Sequence, residues 1–128
     1  MADVCLQVYL LQYLVIKKLH HQTLLKEGVR MLCAGIVHGD LSEFNILLGR
    51  DGPVIIDLPQ AVDAASNNHA SSMLERDVNN LSAFFGRFAT ELLTTQYAKE
   101  IWALYSRGLL SIDSELTGYS NKIPNPWI

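Results

Sequence analysis

His38-Gly39-Asp40-Leu41-Ser42-Glu43-Phe44-Asn45-Ile46-Leu47-Leu48, followed by Val54-Ile55-Ile56-Asp57, is the stretch that decides how this chain is read. A polar loop runs into a short apolar segment. The turn-forming residues Gly49-Arg50-Asp51-Gly52-Pro53 then separate it from a second apolar run that ends in a carboxylate. This predicts a hairpin of two short buried strands. Asn45 stands where the first strand begins and Asp57 where the second ends, so both oxygen side chains lie at one end of the ribbon. Such a pair suits a hard divalent cation: magnesium, or manganese in its place, takes one or two protein oxygens and completes its shell with water and phosphate. Phosphoryl transfer from ATP needs that ion and a carboxylate beside the accepting hydroxyl, because positioning and charge neutralisation supply nearly all the catalysis. Asp40 is the candidate carboxylate. Either piece alone is ordinary polar punctuation, whereas the two together, in this order, define a candidate site.

The composition fits one globular unit: 128 residues, 49% hydrophobic and 18% charged, a size that buries about two-thirds of its unfolded surface. A net charge of -3 gives no bulk attraction for nucleic acid. Cys5 and Cys33 have no metal-binding spacing and are expected to be buried free thiols in a reducing cytoplasm. The opening Val4–Ile16 is strongly apolar. Gln7 and Gln12 interrupt it, it is short for a membrane span, and it lacks a basic leader. It reads as a buried helix or strand, and as a surface for self-association if left uncovered. His20 and His21 diverge around a helix and His69 stands alone, so zinc is not expected.

Helical spacing of Leu24, Leu25, Val29, Leu32 and Cys33 predicts a helix from His20 to Ala34 closed by Gly35, with Gly28 marking close packing or a kink. Residues 59–68 lack periodicity and read as a loop. Ser66, Asn67 and Asn68 are candidate caps for a helix running to about Arg87. A third helix is expected from Thr95 to Arg107, burying Tyr97, Ile101, Trp102, Leu104 and Tyr105 and ending at Gly108. The fold class is α+β, mainly helical, with residues 1–118 as the domain and 119–128 as an irregular tail.

HGDLSEFNILL with IIDLPQAVD resembles the RIO family of atypical serine protein kinases and ATPases, specifically the carboxy-terminal lobe of their catalytic domain. The likeness continues through Leu74–Leu81 with Phe84-Phe85, through Tyr97–Tyr105, and to Glu115–Gly118, and covers about Leu24 to Gly118. It implies a protein-kinase-like C-lobe whose small hairpin carries the metal-binding residues, without an N-lobe. By the same resemblance Asp40 is catalytic, Asn45 and Asp57 hold the metal, and Ser42 and Glu43 join Asn45 around the nucleotide. His38 packs beneath the loop and bonds backbone, while a buried Asp77 braces it from below. Loop shaping is a further role for Ser42, and Asp57 is a candidate for accepting the phosphoryl group covalently. The implied cofactors are ATP and magnesium and the implied acceptor is a protein. Contact with nucleic acid or the ribosome follows only by family analogy.

Aminoglycoside and choline phosphotransferases share an HGD loop, but theirs usually read HGDLHPGN. Ser42-Glu43-Phe44 and Pro59-Gln60-Ala61-Val62 favour the RIO reading. The sequence has no GxGxxG element, and Lys17, Lys18 and Lys26, the only lysines before the loop, lie in or near helical patterns. The chain therefore reads as a lobe, an excised piece or a truncated gene product, expected to show little catalysis by itself because residues that act as a unit lose function together. A noncatalytic binding or assembly module is the reading from a different class.

Overall fold

The computed structural model describes residues 2–119, with backbone alone for residues 2–6 and 8. Three helices, α1 (Ala2–Cys33), α2 (Ala70–Phe85) and α3 (Tyr97–Ser106), enclose four short strands, β1 (Ile36–Val37), β2 (Ile46–Gly49), β3 (Gly52–Ile55) and β4 (Val62–Asp63). The architecture is α+β, mainly helical. The strands form two antiparallel pairs, β1 with β4 and β2 with β3. The β2–β3 hairpin pairs Ile46 with Ile55 and Gly49 with Gly52, and its open end is closed by the amide of Ile56 donating to the carbonyl of Asn45 at 2.9 Å.

The core lies where α1, α2 and α3 meet. Leu25, Val29 and Leu32 pack against Val37, Leu74, Val78 and Ile101, and Leu24, Leu41, Leu81 and Phe85 form an adjoining cluster that Ile46 and Ile55 of the hairpin cover. The α1 and α2 residues among these repeat at three- and four-residue intervals, so each helix turns one face inward.

Several expectations are corrected. The apolar opening and the helix expected from His20 are one uninterrupted helix of 32 residues, and its first half is not buried: Leu10, Leu11, Tyr13, Val15 and Ile16 are exposed. A rigid helix carries these residues past the end of the core, so hydrophobicity alone cannot bury them. The hairpin strands are likewise only half buried, with Leu47, Leu48 and Val54 exposed, because only the base of the ribbon, the pair Ile46 and Ile55, reaches the core. Cys33 is exposed rather than buried, and the Cys5 side chain lies outside the described residues. A Cβ at Gly28 would meet open space, so close packing does not explain that glycine. Residues 59–68 contain β4, whose pairing partners, Ile36 for Asp63 and Val37 for Val62, lie too far upstream for local periodicity to reveal. His69, not Ser66, Asn67 or Asn68, caps α2, while the Asn67 side chain accepts the His69 amide at 2.8 Å. In α3 only Ile101 of the five expected residues is fully buried; Tyr97, Trp102, Leu104 and Tyr105 are half-buried. Apart from Tyr119, the expected irregular tail lies outside the described residues.

Candidate active site

The loop from His38 to Asn45 is built on a glycine no other residue could replace without strain. Gly39 has φ +89°, and a Cβ there would stand 2.7 Å from the Met73 side chain and 3.0 Å from the Gln60 carbonyl. The turn it makes brings two loop amides toward α2. Gly39 donates to Asp77 Oδ2 at 2.8 Å and Leu41 donates to Asp77 Oδ1 at 3.0 Å, from a carboxylate only 2% exposed. Burial pushes Asp77 above the usual carboxylate range, and the two amide bonds with the nearby Arg76 charge draw it partly back. Neighbouring residues of α2 serve the loop's carbonyls: Arg76 donates to Gly39 O, and Asn80 Nδ2 donates to Leu41 O at 3.0 Å. The sequence reading had found Asp77 but missed Arg76 and Asn80. The available signal was spacing, since Arg76 and Asn80 are four residues apart and Asn80 is three from Asp77, which brings them to adjoining positions on one side of a helix.

His38 ties the two halves of the site. Its Nε2 lies 2.9 Å from the Ile56 carbonyl, which can only accept, so Nε2 carries a proton. Its Nδ1 accepts the Asp40 amide at 3.1 Å and so carries none. The ring is therefore neutral, in a single tautomer, and 3% exposed. It joins the residue that presents Asp40 to the residue that precedes Asp57.

Asp40 itself is exposed. Asn45, only 9% exposed, donates through Nδ2 to the Asp40 carbonyl at 2.6 Å and to Asp40 Oδ2 at 3.3 Å, so that its Oδ1 is not used in these bonds. Asp57 is exposed and is the one non-glycine residue among those described with positive φ, at 66°. A conformation that costs of order 1 kcal/mol or more persists where the surroundings impose it, and such residues cluster at functional sites. The Gln60 side chain donates to the Asp57 carbonyl at 2.8 Å. Ser42 caps the short 3-10 helix Glu43–Asn45 by accepting the Phe44 amide at 3.3 Å, a loop-shaping contact. Glu43 is exposed, and no hydrogen bond joins its side chain to the rest of the site. Thus Asp40 and Asn45 are in contact, His38 and Asp77 hold the loop, and Asp57 lies two residues past the end of the partner strand, next to the Ile56 that bonds both His38 and Asn45.

Among the described residues no group of three or more His, Cys, Asp or Glu side chains could hold a metal, and Asn45 and Asp57 offer one amide oxygen and one carboxylate. These are hard oxygen donors of the kind magnesium accepts. Among the described residues no helix is long and apolar enough to cross a membrane.

A buried carboxylate and a hydrogen-bonded histidine thus hold the HGD loop beside the hairpin. The family model of the RIO domain matches residues 7–98, and the chain belongs to that family. It is 32% identical over 103 residues to serine/threonine-protein kinase rio2 of Schizosaccharomyces pombe, covering 80% of this chain and 30% of that protein. It is 47% identical over 58 residues to the RIO-type serine/threonine-protein kinase Rio1 of Haloferax volcanii, which covers 45% of this chain and 20% of that protein. Identity to the RIO-type kinase Rio2 of Methanocaldococcus jannaschii is 49% over 55 residues, or 42% of this chain and 20% of that protein. The chain therefore spans 20 to 30% of the length of these curated relatives.

Proposed function

We propose that this chain is the C-lobe of a RIO-type serine/threonine kinase, the part that holds the metal and the acceptor and works with ATP and magnesium on a protein substrate. The observation that carries this reading is the neutral His38, bonded to the Asp40 amide and to the Ile56 carbonyl next to Asp57. It fixes the acceptor carboxylate relative to the metal carboxylate, which is what transfer without covalent participation of the protein requires. Asp40 receives the proton of the attacking hydroxyl. Asn45 Oδ1 and the Asp57 carboxylate hold the magnesium ion, which, when bound, neutralises charge on the phosphate oxygens. Ser42 shapes the loop, and Asp77 with Arg76 and Asn80 anchors it to α2.

In the full-length parent, Asp40→Asn removes the proton-accepting charge at nearly constant volume. Turnover is expected to fall about 100-fold or more, with little change in KM for ATP and an unchanged circular dichroism spectrum. Steady-state kinetics on a protein substrate provide the measurement, and unchanged turnover refutes the role of Asp40.

A further inference from the structure

Away from the loop and hairpin, α2 and the start of α3 enclose a groove of about 310 Å³. Glu75, Asn79 and Ser82 line it from α2, and Thr95, Ala98 and Lys99 from the other side. At positions i, i+4 and i+7 the three α2 residues share one face of that helix. Arg76, Asp77 and Asn80, which serve the loop, do not line the groove.

The second wall is the beginning of a 10-residue helix that no side chain caps. Amides of a first helical turn have no partner within their own helix, and residues 95 and 96 belong to no preceding turn that could supply one. Unpaired N–H groups and the positive end of the helix dipole therefore stand at the groove, an arrangement that favours an anion.

Ser82 supplies an independent observation. It is only 8% exposed, and its hydroxyl makes no hydrogen bond among the described residues. The helical serines Ser72 and Ser106 donate theirs to a carbonyl three residues back, that of His69 and of Ala103. Ser82 does not, and it lines the groove instead. A hydroxyl so nearly buried normally has a partner. Beyond it, Lys99 is exposed and forms no ion pair among the described residues, so its ammonium charge is uncompensated.

We propose that this groove binds a phosphate group, held by the first-turn amides of α3, the Ser82 hydroxyl and the Lys99 ammonium, with Asn79 beside it. Donors come from both walls. A tetrahedral group directs oxygens to several sides and can meet both, whereas a planar carboxylate offers its two oxygens in one plane. Glu75 works the other way, because its carboxylate lines the same groove and opposes added negative charge.

Titration of the isotope-labelled 128-residue chain with inorganic phosphate, at an ionic strength held constant with chloride, tests the proposal through amide chemical shifts. Saturable shifts are expected at Tyr97, Ala98 and Lys99. Ser82→Ala is expected to weaken binding about tenfold, since it removes a hydrogen bond to a charged group. Lys99→Gln should weaken it about threefold and Glu75→Gln tighten it about threefold. A parallel titration with O-phospho-L-serine decides the source: tighter binding than inorganic phosphate assigns the groove to a phosphorylated residue, weaker binding to free phosphate. The proposal is overturned by the absence of saturable shifts at residues 97–99, or by equal shifts with chloride alone. Unchanged affinity in Ser82→Ala, or weaker binding in Glu75→Gln, overturns it as well.

Discussion

Asp77 shows how much one side chain can organise. A carboxylate buried in a helix face normally carries a desolvation penalty with no return, and burial does raise its pKa. Here the two oxygens are spent on the amides of Gly39 and Leu41, which would otherwise be buried without partners. Asp77→Ala leaves both amides unpaired and is expected to cost about 1 to 3 kcal/mol, measured by urea denaturation. Asp77→Asn keeps one acceptor and is expected to cost less. Equal stability of Asp77→Ala and the parent chain would show that the loop finds other partners.

Among the elements, the seating of α1 on α2 and α3 depends on a residue that reads as unremarkable in sequence. His21 is 1% exposed, lies 5.7 Å from the rings of Phe85 and Tyr97, and its buried Nε2 has no hydrogen-bond partner. Burial lowers its pKa from 6.5 to about 4. The folded state therefore gives up a proton that the unfolded chain keeps between those values. Stability attributable to His21 is present above pH 6.5 and is lost as pH falls toward 4, by about 3 kcal/mol in all. Asp77, whose pKa is raised, contributes a slope of opposite sign at acidic pH, so the comparison must be differential. Denaturation of the parent chain and of His21→Leu across pH 4 to 7 is expected to show the steep acid loss only in the parent. Parallel pH profiles would contradict the assignment.

For the molecule as a whole, the arrangement presents Asp40, Asn45 and Asp57 but builds little around them. A groove of about 770 Å³ lies behind the hairpin, lined by Met31, Ile36, Val54, Ile55, Leu58 and Ala61, rather than over Asp40. Two oxygen side chains make a weak magnesium site until phosphate completes it. Calorimetric titration of the isolated 128-residue chain with magnesium and ATP is expected to give affinity weaker than micromolar and no steady hydrolysis. Tight binding with turnover would show that the described residues suffice.

What the sequence determined by itself was local and chemical. The turn residues between two apolar runs dictated the hairpin, and with it the placement of Asn45 and Asp57 at one end, because a short antiparallel ribbon has only one open end. Residue type identified Asp40, and the motif resemblance identified His38 and Asp77. The tertiary structure alone decided matters that depend on distant partners. Arg76 and Asn80 became loop anchors because α2 crosses beneath residues 39–41. β4 formed because Ile36 and Val37 lay open to it. His21 entered the core while the apolar residues before it stayed outside. Hydrophobicity is a property of the residue, but burial requires something to be buried against, and a rigid helix of 32 residues extends farther than this core can cover.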